Sequence, residues 1–169
     1  MKKVKLESST LGVNAKTIDS IIFEAGRDNA KGINLIISQM HPADTADLLE
    51  TLSEENRKKV IKALGYKFPA ETLASMNVPI LISVIDLFEP SQLVDLLSGL
   101  DTDDITYVLE TCEESFRKKI LKGMSKDLQK LIKKALNYDE DSAGRIMQTD
   151  YVSVPVNWTI GQVVDYLRL

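Results

Sequence analysis

The single histidine, His41, stands in "MHPADTADLLETL" (residues 40–52), with Asp44, Asp47 and Glu50 close behind it. An imidazole beside carboxylates could ligate a metal, move a proton or begin a helix. Further oxygens gather downstream: Asp101, Asp103 and Asp104 in "DTDDITY", and Asp139, Glu140 and Asp141 in "YDEDSAG". Carboxylates at this density suit a hard cation, which takes oxygen ligands. They equally suit a helix first turn, where the backbone dipole favours negative charge, and that is the plain reading of Asp103 and Asp104. The plain reading of 139–141 is a solvated loop. No G-x-S-x-G, C-x-x-C, H-E-x-x-H or phosphate-cradling glycine loop occurs. With one histidine and one cysteine, catalysis would rest on carboxylates alone, so the chain does not read as an enzyme.

The elements that place these groups follow from a repeat. Every twelfth residue from Met40 is apolar: Met40, Leu52, Leu64, Met76, Phe88, Leu100, Cys112, Met124, Leu136. Positions eight and nine after each marker are apolar too, as in Leu48-Leu49, Val60-Ile61 and Val108-Leu109, with Thr72 and Lys133 as exceptions. The residue after each marker is of another kind: His41, Ser53, Gly65, Asn77, Glu89, Asp101, Glu113, Ser125, Asn137. Ser, Asn and Asp cap helix N-termini by accepting from the first free amides, whereas Glu and His do so less well. Proline at 42 and 90 sits where a helix tolerates it. Each unit therefore predicts a cap and a helix of about eight to ten residues with one apolar stripe. Helices this short need neighbours, and a succession of them makes an array. On this pattern His41 is a helix start, Cys112 is packing, and the "RKK" runs are charge toward helix C-termini.

A longer period is superimposed. Residues 40–64 align without a gap onto 100–124, with Glu50, Thr51, Arg57, Lys58 and Lys59 recurring sixty positions on, which favours duplication over convergent pressure on short helices. The pattern stops after Leu136. "YVSVPV" alternates like a short strand, and "NWTIGQVVDYLRL" reads as a capped helix carrying Ile160, Val163, Val164 and Leu167. One strand and one helix cannot bury a core, so this tail reads as the opening of a second domain.

Composition is that of an ordinary folded chain: 169 residues, 44% apolar, 27% charged, formal charge −4. Mild acidity excludes a nucleic-acid binder, which needs a cationic excess. No apolar run is long enough to span a membrane, and Lys2, Lys3 and Lys5 have no apolar stretch behind them that would make a signal peptide. One cysteine allows no intrachain disulfide.

"HPAD-x-ADLLE-x-L" at 41–52, the short-helix array, and "YDEDSAGRIMQTDYVSVPVNWTIGQVVDYLR" at 138–168 together resemble the cytosolic N-terminal part of MgtE-type magnesium transporters. The resemblance covers roughly residues 30–169. It implies an all-α, superhelical, solenoid-like array of short helices followed by an incomplete α/β CBS fragment. The expected divisions are a partly helical N-terminal segment at 1–28, the helical-repeat N domain at 29–136, a linker at 137–149 and a truncated first CBS domain at 150–169. In that family magnesium bridges carboxylates among the N domain, the CBS domains and a connecting helix when intracellular magnesium is high, and the pore closes. The ion implied is Mg2+, weakly held and regulatory. The partners implied are the chain's own CBS domains and connecting helix, in a homodimer on the cytoplasmic side of the inner membrane that meets the membrane only through a transmembrane domain outside this sequence. Carried over position by position, the metal-ligating candidates are Asp103, Glu71 and Asp104. Tyr107 departs from the family pattern, standing where a second ligand Asp is found, and Arg145 stands where a second glycine is common. The competing expectation is an interaction scaffold like the armadillo-like segments of flagellar motor switch proteins, with no ion role.

Overall fold

A computed structural model of the chain describes residues 13–139, 142–145, 147 and 152–168. Among these, eleven α-helices follow one another. They are α1 (Ala15–Gly26), α2 (Ala30–Ile37), α3 (Pro42–Thr51), α4 (Glu54–Leu64), α5 (Glu71–Ala74) and α6 (Val78–Ile85). Then come α7 (Pro90–Leu97), α8 (Thr102–Glu110), α9 (Glu114–Gly123), α10 (Lys126–Leu136) and α11 (Ile160–Leu167).

The twelve-residue period is the fold's own period. His41, Ser53, Asn77, Glu89, Asp101, Glu113 and Ser125 are all helix N-caps. Ser53 Oγ accepts from the Asn56 N–H at 3.4 Å and Asn77 Oδ1 from the Ile80 N–H at 3.3 Å. Glu89 makes a capping box with Gln92. From Leu48 and Leu49 to Ile120 and Leu121 the apolar residues at offsets eight and nine are buried, except the half-buried Leu96, and one cluster runs from Ile21 to Ile132. Several contacts link alternate helices, α2 with α4, α3 with α5, α7 with α9 and α8 with α10, so the array winds rather than zigzags. The sixty-residue period agrees with the helix starts, α3 and α4 at Pro42 and Glu54 and α8 and α9 at Thr102 and Glu114.

Two expectations need correction. Gly65 opens no full helix: its φ of +50° and ψ of −124° stop α4, and a 3-10 turn (Gly65–Lys67) leads to the four-residue α5. That backbone conformation suits glycine, which lacks the clashing Cβ. Phe68, edge-on to Phe88 with centroids 5.4 Å apart, fills the core that a longer helix would have supplied. Asn137 ends α10, where the period stops. The expected strand in "YVSVPV" is absent among the described residues, where 152–155 carry no regular structure. A lone strand has no neighbour to complete its backbone hydrogen bonds. The helical half of the tail forms as α11, with Trp158 edge-on to Tyr166 at 5.5 Å and Ile160 and Leu167 exposed. Among the described residues no helix is long and apolar enough to cross a membrane.

Candidate acidic site where the fifth helix meets the eighth

His41 is explained by local geometry: its Nδ1 accepts the Ala43 N–H at 3.3 Å and Pro42 takes the first helical position. Asp44 lies in the first turn of α3. Glu50 points elsewhere, its carboxylate accepting the N–H of Asn77 at 2.7 Å and so tying the end of α3 to the start of α6.

Among the sequence candidates, those that come together are Glu71, Asp103 and Asp104. Helix α5 packs on α8. Thr72 and Leu73 of α5 are buried, as are Thr102, Ile105, Thr106 and Leu109 of α8, which leaves Glu71 exposed and Asp103 and Asp104 half-buried beside the seam. The seam is fixed by Tyr107, whose hydroxyl donates to the Met76 carbonyl just beyond α5 at 2.7 Å. Tyr107 lies one helical turn after Asp103 on the same stripe, so the position where the resemblance expects a ligand is occupied by a structural hydrogen bond.

Electrostatics mark the same place. Burial raises the pKa of Asp104 above the usual carboxylate range, and the charges of Asp103, Asp101 and Glu71 push in the same direction. Oδ1 of Asp103 is buried without a hydrogen-bond donor. None of the ion pairs among the described residues engages Glu71, Asp103 or Asp104. Equally, no three His, Cys, Asp or Glu side chains among the described residues converge closely enough to hold a metal by themselves. The patch offers oxygen donors without closing a cage. In the 139–141 run, Glu140 and Asp141 lie outside the described residues.

Sequence reasoning missed the arginines. The "RKK" runs are not uniform helix-end charge. Lys58 and Lys59 pair with Glu54 and Glu55 on the surface at 2.5 and 2.8 Å, but Arg57 is only 6% exposed. Its Nε donates to the Leu49 carbonyl at 2.7 Å and its Nη2 to that of Leu52 at 2.9 Å. The recurrence of Glu50 and Arg57 sixty residues on was the available signal that both do more than solvate a helix.

Fold and site together define a wound array of short helices with an acidic patch. Residues 40–141 match the MgtE intracellular N domain, and the chain belongs to that family. It is 23% identical over 133 residues to the magnesium transporter MgtE of Bacillus subtilis (strain 168), a match taking in 79% of this chain and 30% of that protein. Two solved structures share the fold. One is the soluble part of a magnesium transporter, with TM-score 0.76, 21% identity, and coverage of 90% of this chain and 60% of that one. The other is the cytosolic domain of the Mg2+ channel MgtE in complex with ATP, with TM-score 0.78, 22% identity, and coverage of 89% and 62%. The chain thus spans less than a third of the curated relative and about three-fifths of the solved chains.

Proposed function

We propose that this chain is the magnesium-sensing N domain of a membrane transporter, in which Glu71, Asp103 and Asp104 share ions with CBS domains and a connecting helix and so control the pore by domain association. The observation that carries the proposal is the Asp103–Asp104 pair: one buried carboxylate oxygen has no donor, and its neighbour is disfavoured as an anion by burial and like charge. Hard oxygen donors of this kind fit magnesium. A bound magnesium ion would supply the divalent charge that lets two acidic surfaces approach. The residues here cannot complete an octahedron by themselves, so remaining ligands must come from water or from a facing domain, which makes binding weak and dependent on docking. Without the ion, Glu71, Asp103 and Asp104 repel a facing acidic surface and hold the array away. Tyr107 keeps α8 seated on α5, so the carboxylates are presented on a fixed frame.

Small-angle scattering tests this on the chain extended through both CBS domains and the connecting helix. Its radius of gyration is expected to fall as magnesium is raised through the ~millimolar range, and not with sodium at equal ionic strength. An unchanged radius up to about 10 mM magnesium would overturn the reading.

A further inference from the structure

The segment that leaves the array is built as a fastening. Nη1 of Arg145 donates to the carbonyl oxygens of Ala135 at 2.9 Å and Tyr138 at 3.0 Å, at the C-terminal end of α10. Its guanidinium also pairs with the Glu110 carboxylate at the end of α8, with the two side chains 10% and 32% exposed. A guanidinium that donates to two carbonyl oxygens and lies against a carboxylate, partly shielded from water, is held more firmly than a surface lysine would be. The intervening chain folds back to allow it. The N–H and hydroxyl of Ser142 both donate to the Asp139 carbonyl at 2.9 and 2.7 Å, and the Arg145 N–H donates to the Ser142 carbonyl at 3.0 Å. The Tyr138 ring covers Gly144 so closely that a Cβ there would lie 2.7 Å from a ring atom.

The internal repeat gives an independent reason to read this as a device. Glu110 is the sixty-residue counterpart of Glu50. Glu50 catches the backbone of Asn77, and Glu110 catches Arg145. In both copies the glutamate ending the first helix of the pair holds a later segment to the array.

We propose that Glu110, Gly144 and Arg145 form a clasp, in which Arg145 is a positioning residue that fixes residues 142–145 to the ends of α8 and α10. The chain then leaves the array from a fixed point instead of through a slack linker, and a displacement of the array is carried onward to whatever follows. Where the resemblance has a second glycine, this chain has the residue that fastens the exit. The clasp requires no magnesium, so its test is separate from that of the sensing proposal.

Hydrogen exchange of the whole chain in magnesium-free buffer tests it, using wild type, E110Q, R145Q, the double variant and G144A. The amides of Ser142 and Arg145 are expected to be protected in wild type and to exchange roughly tenfold faster in each single variant, with protection of α8 and α10 retained. The double variant is expected to match R145Q, because both changes break one unit. G144A releases the same amides without altering charge. Should R145Q disturb α10 itself, E110Q and G144A carry the test. Exchange at unstructured rates in wild type, or an E110Q profile indistinguishable from wild type, would overturn the clasp.

Discussion

At Asp104, burial and neighbouring charge act in the same direction. Because the folded-state pKa is raised, ionisation of this group costs stability. The cost is present in full above the folded pKa, shrinks as pH falls, and disappears below the ordinary carboxylate value. D104N is therefore expected to stabilise the chain at pH 7 by roughly 0.2–0.5 kcal/mol, a small figure because the group is part-exposed and screened. Urea midpoints at pH 7 and pH 3 check this: the gain should be present at the first and absent at the second. Cys112 makes the opposite kind of point. Burial, offset in part by Arg117, pushes its thiol up to about 11, and its Sγ–H donates to the Val108 carbonyl at 3.5 Å. At pH 8 the native thiol should react with a disulfide reagent about a hundredfold more slowly than after unfolding. Equal rates would mean that the packing around Cys112 is not as described. The packing role of this cysteine was legible from its place in the period, and so was the capping role of His41. The roles of Glu50, Arg57 and Arg145 were not, because their partners are main-chain atoms or side chains brought close only by the winding of the array, 8 residues away for Arg57 and 27 for Glu50.

Between elements, the two halves of the duplication have diverged in how they use the same residues. Arg57 is buried against two carbonyl oxygens at the α3–α4 turn. Arg117, its counterpart, is half-buried and lines a shallow cleft with Lys133, Leu136, Asn137 and Arg145. R57A is expected to cost about 3 kcal/mol, since it strands two carbonyls that a charged donor had satisfied. R117A should cost less than about 1 kcal/mol, mainly from lost packing of its stem. Denaturant unfolding of the two variants measures the difference, and equal losses would show that the halves had not diverged here. The twelve-residue period made most of the helices readable because caps and buried stripes are local. It failed at Gly65, where a positive φ interrupts the register, and at "YVSVPV", where alternation promises a strand only if another strand is beside it.

On the scale of the whole molecule, a wound array with one continuous core moves as a body, and its acidic patch lies on a seam pinned by Tyr107. The curated relative is longer, and the match takes in 30% of it. Neither the candidate ligands nor the gating proposed for them can be read from the array's geometry alone, since among the described residues the carboxylates do not close a metal site. In the proposed function these three carboxylates couple magnesium to domain association. The most direct measurement follows the distance between dyes on the array and on the second CBS domain, in the chain extended through both CBS domains and the connecting helix, during a magnesium titration. E71Q/D103N/D104N is compared with wild type and with E54Q/E55Q, which removes two exposed glutamates paired with Lys58 and Lys59. Wild type and E54Q/E55Q should close together in the ~millimolar range, while the triple variant should need at least about tenfold more magnesium and start from a shorter distance, its repulsion having been removed. A triple variant that closes at the wild-type concentration would contradict the account.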